Sequence, residues 1–195
     1  MTDLIAVDVA ILPPPAVDAR ARALNAALPA AESKGLRLDD ARLPHITLTQ
    51  LFVRTSELPT MLDLIDEAIR GVAPLSLRIP AASVNGNTVW MTVDPARGLT
   101  DLHERLMHAL RGVERQGGTP AAFVDGDARV GDVNWVTDYR VKASFAAFTP
   151  HITIGHAAAA PRLEPIAFEA TTLAACHLGR FCTCRRVLRQ WTLTS

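Results

Sequence analysis

The chain is short of lysine: Lys34 and Lys142 are its only two, and the rest of its 20 basic residues are arginine. Charge is sparse, at 21% of residues, and the 20 basic and 20 acidic side chains cancel. A neutral total excludes a generic grip on long duplex nucleic acid, which depends on many phosphate contacts at once. It leaves room for a small anion held by a local positive patch. No run of about 18 consecutive apolar residues occurs, so no membrane-spanning helix is expected. The opening Met1-Thr2-Asp3-Leu4 has neither the basic residues nor the long apolar stretch of a secretory signal. Cysteine is scarce and odd in number (Cys176, Cys182 and Cys184). These absences together predict reduced thiols in a cytoplasmic protein. Cys-x-Cys is tighter than the usual zinc knuckle and no second pair exists, so buried thiols are expected, with no metal and no cofactor.

What the chain does have is apolar bulk. Apolar residues make up 49% of its 195 positions, enough for a substantial core. The sequence reads as strands mixed with helices. Leu4–Leu12 is an apolar, β-branched strand interrupted by Asp8, and Pro13-Pro14-Pro15 ends it. Helical spacing predicts helices over 16–31, from Ser56 to Gly71, and over 99–111, where Leu102, Leu106 and Leu110 form a stripe. His103 and His108 on the last of these read as surface or capping residues. Residues 75–84 and 88–93 read as strands around an Asn85-Gly86-Asn87 hairpin turn. Residues 168–178 and 185–193 read as a closing pair of strands. Residues 112–148 look irregular, with room for one short helix near Pro120, and loops of that length are often functional.

Two segments repeat. Pro44-His45-Ile46-Thr47-Leu48 has a twin in Pro150-His151-Ile152-Thr153-Ile154, one in each half of the chain. Each follows a proline and is rich in β-branched residues, so each predicts a strand. Side chains alternate along a strand, so His45 shares a face with Thr47, and His151 with Thr153. Each strand then presents an imidazole and a hydroxyl about 7 Å apart. A hydroxyl can donate to a phosphate oxygen, and histidine exchanges a proton near neutral pH. Two such strands facing one another would supply an acid and a base on opposite sides of one phosphorus. Regular alternation puts His156 on the face opposite His151, which makes it a poor third catalyst.

This paired motif resembles that of the 2H phosphoesterase superfamily, which includes bacterial proteins named 2′-5′ RNA ligases and various cyclic nucleotide phosphodiesterases. The resemblance spans essentially the whole chain. One departure is Gly155-His156, where many relatives place an arginine. The resemblance implies an α+β fold of one bilobal domain: two pseudo-symmetric lobes, each an antiparallel sheet with outer helices, around a central cleft. It implies a metal-independent phosphodiesterase with His45 and His151 as acid and base, and with Thr47 and Thr153 on the phosphate oxygens. The implied substrates are 2′,3′-cyclic phosphates of nucleotides or RNA ends, a related cyclic phosphate, or a 2′-5′ linkage, met by a monomer. A binding module without turnover and a 2′-5′ RNA ligase are the competing readings.

Two aromatics are candidate substrate contacts. Trp90 offers a face for a nucleobase, although core filling is the preferred reading for a strand tryptophan. Tyr139 clusters with Trp135, Arg140 and Lys142 just before the second motif, which suits a nucleotide wall or a hinge packed on the core.

Overall fold

The structure, a computed structural model, describes residues 3–194. Nine strands and four α-helices are found among these residues. Strand β1 (Leu4–Leu12) leads through the proline run into helix α1 (Pro15–Ala27), with Pro15 in the first helical turn, where no N–H is needed. The helix is shorter than its alanine-rich sequence predicts. Pro29 forces Leu28 into an extended conformation (φ −67°, ψ 146°), and a helix cannot continue through it.

Strand β2 (Ile46–Arg54) carries the first motif and precedes α2 (Leu58–Ile69). Strands β3 (Leu75–Ile79), β4 (Ala82–Asn85) and β5 (Thr88–Thr92) follow, then α3 (Arg97–Ala109). The single strand expected over 75–84 is therefore two, broken at Pro80, which has no N–H for a ladder. The irregular stretch 112–148 holds a 13-residue helix, α4 (Val130–Lys142). Its mixed sequence of valine, aspartate and asparagine carries no apolar stripe at helical spacing. Strand β6 (His151–His156) carries the second motif. The strand expected over 168–178 is also two, β7 (Ile166–Ala170) and β8 (Thr172–Gly179), and β9 (Thr183–Thr192) closes the fold.

Seven strands form one sheet in the order β4-β5-β6-β2-β1-β8-β9, and β3 pairs with β7 in a second, smaller sheet. The large sheet is antiparallel and has a seam: β2 and β6 are matched only at Ile46 and Ile152. It thus divides into a half built on β6 and a half built on β2. The motif strands are neighbours at this seam, side by side in one sheet, not facing walls as the sequence reading pictured them. Ile46 and Ile152, both fully buried, point to the core. Because they are directly opposite, His45, Thr47, His151 and Thr153 all project from the other face. Helices α2 and α3 pack together and on β2, while α1 packs on β6 and α4 on β2. Among the described residues, no helix is long and apolar enough to cross a membrane.

Candidate active site

Each motif strand carries a β-bulge, and both bulges fall at the fourth motif residue. On β2, Val9 pairs with Thr49 and Ala10 with Thr47, so Leu48 is the extra residue. On β6, Val89 pairs with Gly155 and Trp90 with Thr153, so Ile154 is extra. An extra residue reverses the alternation beyond it. The face that carries His45 and Thr47 therefore continues with Gln50, and the face that carries His151 and Thr153 continues with His156. All six border one cavity of about 770 Å³. The sequence reading placed His156 on the far face, and the bulge corrects it. Gly155 carries the turn of this bulge at φ 141°, with Leu28 packed where a β-carbon would stand.

A bulge strands a carbonyl, and a buried carbonyl needs a donor. The two carbonyls are met by side chains from outside the strands. Leu48 O accepts from Nδ1 of His103 at 2.6 Å, with the Tyr139 hydroxyl at 3.4 Å. Ile154 O accepts from Asn25 Nδ2 at 2.8 Å. His103 is fully buried, stacked on Phe148, and its Nε2 accepts from the Phe145 amide at 2.9 Å. The expectation of a surface or capping histidine is thus overturned for His103, whereas His108 is exposed. With one ring nitrogen accepting and the other donating, His103 is held neutral, and burial keeps its pKa below the ordinary value.

The two motif histidines are held alike. Nδ1 of His45 lies 2.8 Å from the Leu43 carbonyl, and Nδ1 of His151 lies 2.7 Å from the Thr149 carbonyl. A carbonyl can only accept, so Nδ1 carries the proton in each neutral ring. That leaves Nε2 of each as the free, lone-pair nitrogen. Their surroundings then differ. The Trp90 indole stacks on His151, centroids 3.8 Å apart and planes 17° from parallel. Burial of this ring lowers the His151 pKa to about 4, against the Thr149 bond, which raises it, and with a small further push from His45. His151 is therefore neutral at pH 7 and equipped to accept a proton. Substituting Trp90 by alanine should readmit water to the ring, raise the His151 pKa toward 6.5, and displace its NMR titration and the acid limb of any pH–rate profile upward. An unmoved titration would mean that the indole does not control it.

His45 faces a carboxylate instead. Its Nε2 is 3.5 Å from Oδ2 of Asp8 on β1, which is fully buried. Thr47 Oγ1 and Gln50 Nε2 both donate to that same oxygen at 2.7 Å. Burial raises the Asp8 pKa, opposed by His45, Gln50 and Thr47. When ionised, Asp8 gives a protonated His45 its counter-ion. Asp8, like Gln50, stands beside the motif residues without being named by the motif. The available signal was a lone carboxylate in an otherwise apolar strand.

Thr153 borders the cavity beside His151, and Trp90 is half-buried there. Tyr139 borders it too but is 3% exposed, and its hydroxyl is engaged with Leu48 O. His177 is remote in role, with Nε2 bonded to the Ala122 carbonyl at 2.8 Å. Cys176 and Cys184 are buried and Cys182 is half-buried, all three as free thiols. Among the described residues, one grouping of potential metal-ligating atoms comes within 4.8 Å: Asp8, His45 and Cys184. Neither His156 nor His177 belongs to it.

Two imidazoles, each two residues from a threonine, border one cavity. The family profile described as the 2′-5′ RNA ligase superfamily matches residues 13–187. The chain belongs to this superfamily. It is the 2H phosphoesterase group that the paired motif resembles, and membership makes this a phosphoester-acting enzyme. Among curated proteins, none matches by sequence. Solved structures share the fold across nearly the full length of both chains. The crystal structure of E. coli LigT complexed with NADP+ is 19% identical over 98% of this chain and 99% of its own, with a TM-score of 0.63. That of TT0787 from Thermus thermophilus is 22% identical over 97% and 98%, with a TM-score of 0.63. LigT complexed with 3′-AMP matches at 19% identity over 98% and 99%, again with a TM-score of 0.63. These 2H phosphoesterases confirm the α+β, antiparallel architecture expected from the sequence.

Proposed function

We propose that this 2H phosphoesterase hydrolyses 2′,3′-cyclic phosphates of nucleotides or RNA ends. The observation that carries the reading is the matched pair of Nδ1–carbonyl locks, which free both Nε2 atoms on one face of the sheet, each two residues from a threonine. Neutral His151 is the base that takes a proton from water. Protonated His45, with Asp8 as counter-ion, gives its proton to the leaving ribose oxygen. Thr153 and Thr47 stand where the non-bridging oxygens gather charge, and a hydroxyl there stabilises it. The Thr47 hydroxyl reaches this role by exchanging its bond to Asp8. Both proton transfers are supplied by side chains, so the reaction calls on no metal. Trp90, next to the same cavity, closes the base side.

The nucleotides named in the neighbours' structures, 3′-AMP and NADP+ on LigT, support a nucleotide-sized ligand. The family description favours ligation as a second reading, because the same acid and base run backwards would join a 2′-5′ bond. In dilute water hydrolysis is favoured.

The test is turnover of the four 2′,3′-cyclic mononucleotides with a chelator present. The expected result is a single phosphate isomer, 2′ or 3′, formed at an undiminished rate. Activity that vanishes with the chelator would overturn the two-histidine mechanism, and saturable binding without turnover on any cyclic phosphate would leave a binding module.

A further inference from the structure

We propose that Asp8, His45 and Cys184 form an inhibitory site for a thiophilic divalent cation of the zinc type, which silences the enzyme by occupying Nε2 of His45. The inference rests on the proposed function for its effect on catalysis, but not for the binding itself.

The geometry comes first. One potential ligand atom from each residue lies within 4.8 Å of the other two. Nε2 of His45 and Oδ2 of Asp8 are 3.5 Å apart. In a tetrahedral zinc centre with metal–ligand bonds of about 2.0–2.1 Å, two such ligands stand about 3.4 Å apart. This pair is already at that spacing. The third ligand is tied to the second through the backbone, since the Leu43 amide donates to the Cys184 carbonyl at 3.0 Å. The sheet thus holds the thiol of β9 beside the first motif.

An independent observation points to a ligand. Asp8 is fully buried, yet its Oδ1 has no hydrogen-bond partner. A carboxylate in that state is costly, and a cation held by either of its oxygens would offset the cost. The outer contacts are also those of a metal site. Oδ2 is held by Thr47 and Gln50, and the far nitrogen of His45 donates to a backbone carbonyl, which fixes Nε2 as the inward-facing atom. His151 has the same carbonyl lock but stacks on the Trp90 ring, and among the described residues it belongs to no such grouping of potential ligands.

The donor set selects the ion. One nitrogen, one carboxylate oxygen and one sulfur suit zinc, whereas magnesium and calcium require oxygen ligands. His45, Thr47 and Gln50 border the cavity, which gives the cation its entrance and leaves a fourth position for water. Binding releases the Cys184 thiol proton to solvent, and the Asp8 proton wherever that is carried. Affinity therefore rises with pH. With the cation on Nε2, His45 has neither a proton to give nor a lone pair to accept one.

Two measurements test this on the full chain. Cobalt(II) alone, titrated without substrate, should produce a near-ultraviolet thiolate-to-cobalt charge-transfer band in the native protein and none in Cys184→Ala. Zinc chloride in chelator-free buffer should inhibit cyclic-phosphate turnover reversibly, with an inhibition constant at least ~100-fold weaker in Cys184→Ala, whose uninhibited turnover is unchanged. If that variant fails to fold, Cys184→Ser keeps the volume and removes the soft ligand. A native protein without the thiolate band, or zinc inhibition equal in native and variant, overturns the proposal. If no cyclic phosphate is turned over, the cobalt spectrum still decides the site, and the failure belongs to the proposed function.

Discussion

His45→Ala and His151→Ala should each lower turnover of a cyclic phosphate by about 10²- to 10⁴-fold, the range that positioned acid–base groups contribute. Neither change should unfold the protein. Both rings border the cavity and neither belongs to the buried core, so stability should move by no more than about 1 kcal/mol. The two losses should not multiply. Once either proton transfer is gone the concerted path is lost, and the double variant should be close to the worse single one. The pH profile should separate the roles. His151 must be neutral to accept a proton, and its pKa is lowered to about 4, so activity should rise with pH through that region. In His151→Ala that acid limb should disappear, and in His45→Ala it should stay. A variant at either histidine with native turnover would sink the mechanism.

The second large effect is expected far from the reacting atoms. Asn25→Leu should destabilise the fold by about 3 kcal/mol and lower turnover as well. Asn25 is buried on α1 and serves three backbone groups: its Nδ2 donates to Ile154 O and Leu36 O, and its Oδ1 accepts from the Leu38 amide. Leucine fills similar space but abandons all three, and each buried unsatisfied group costs about 1–3 kcal/mol. The Ile154 carbonyl is the one freed by the bulge on β6. Without its donor, the bulge loses its support, and with it the alternation that brings His156 to the face of His151 and Thr153. Chemical denaturation should report the stability loss, and turnover at a temperature where the variant is fully folded should report the loss of geometry. Native turnover in a destabilised but folded variant would show that the bulge does not need Asn25 to keep the site in order.

The difference between these two predictions marks what could be read from the chain alone. His-Ile-Thr-Leu and His-Ile-Thr-Ile are local patterns, and alternation along a strand is a local rule. The sharing of a face by His45 with Thr47, and by His151 with Thr153, follows from four residues each, as does the burial of Ile46 and Ile152. The family likeness is legible for the same reason, because it resides in those residue types. The hairpin at Asn85-Gly86-Asn87 is equally local: its turn needs Gly86 at φ 63°, and the sequence supplies it.

What alternation cannot foresee is an extra residue. The bulges at Leu48 and Ile154 exist because donors arrive from elsewhere, His103 from α3 and Asn25 from α1, at separations of 55 and 129 residues. Long-range packing brings them in, and only then do Gln50 and His156 join the site while His103 leaves the surface. The same holds for Asp8 and Cys184. Each reads as a minor feature of its own strand, a lone polar break in β1 and a buried thiol in β9. Sheet order sets β1 beside β2, and a backbone bridge from Leu43 to Cys184 brings β9 to the first motif. Local residue patterns were therefore enough for the two motif strands, their cavity-facing side chains and the family. It took the folded sheet to set those strands side by side and to choose which residues extend their faces. Folding also gave one histidine a tryptophan and the other a carboxylate, because those partners come from strands that no short-range pattern connects.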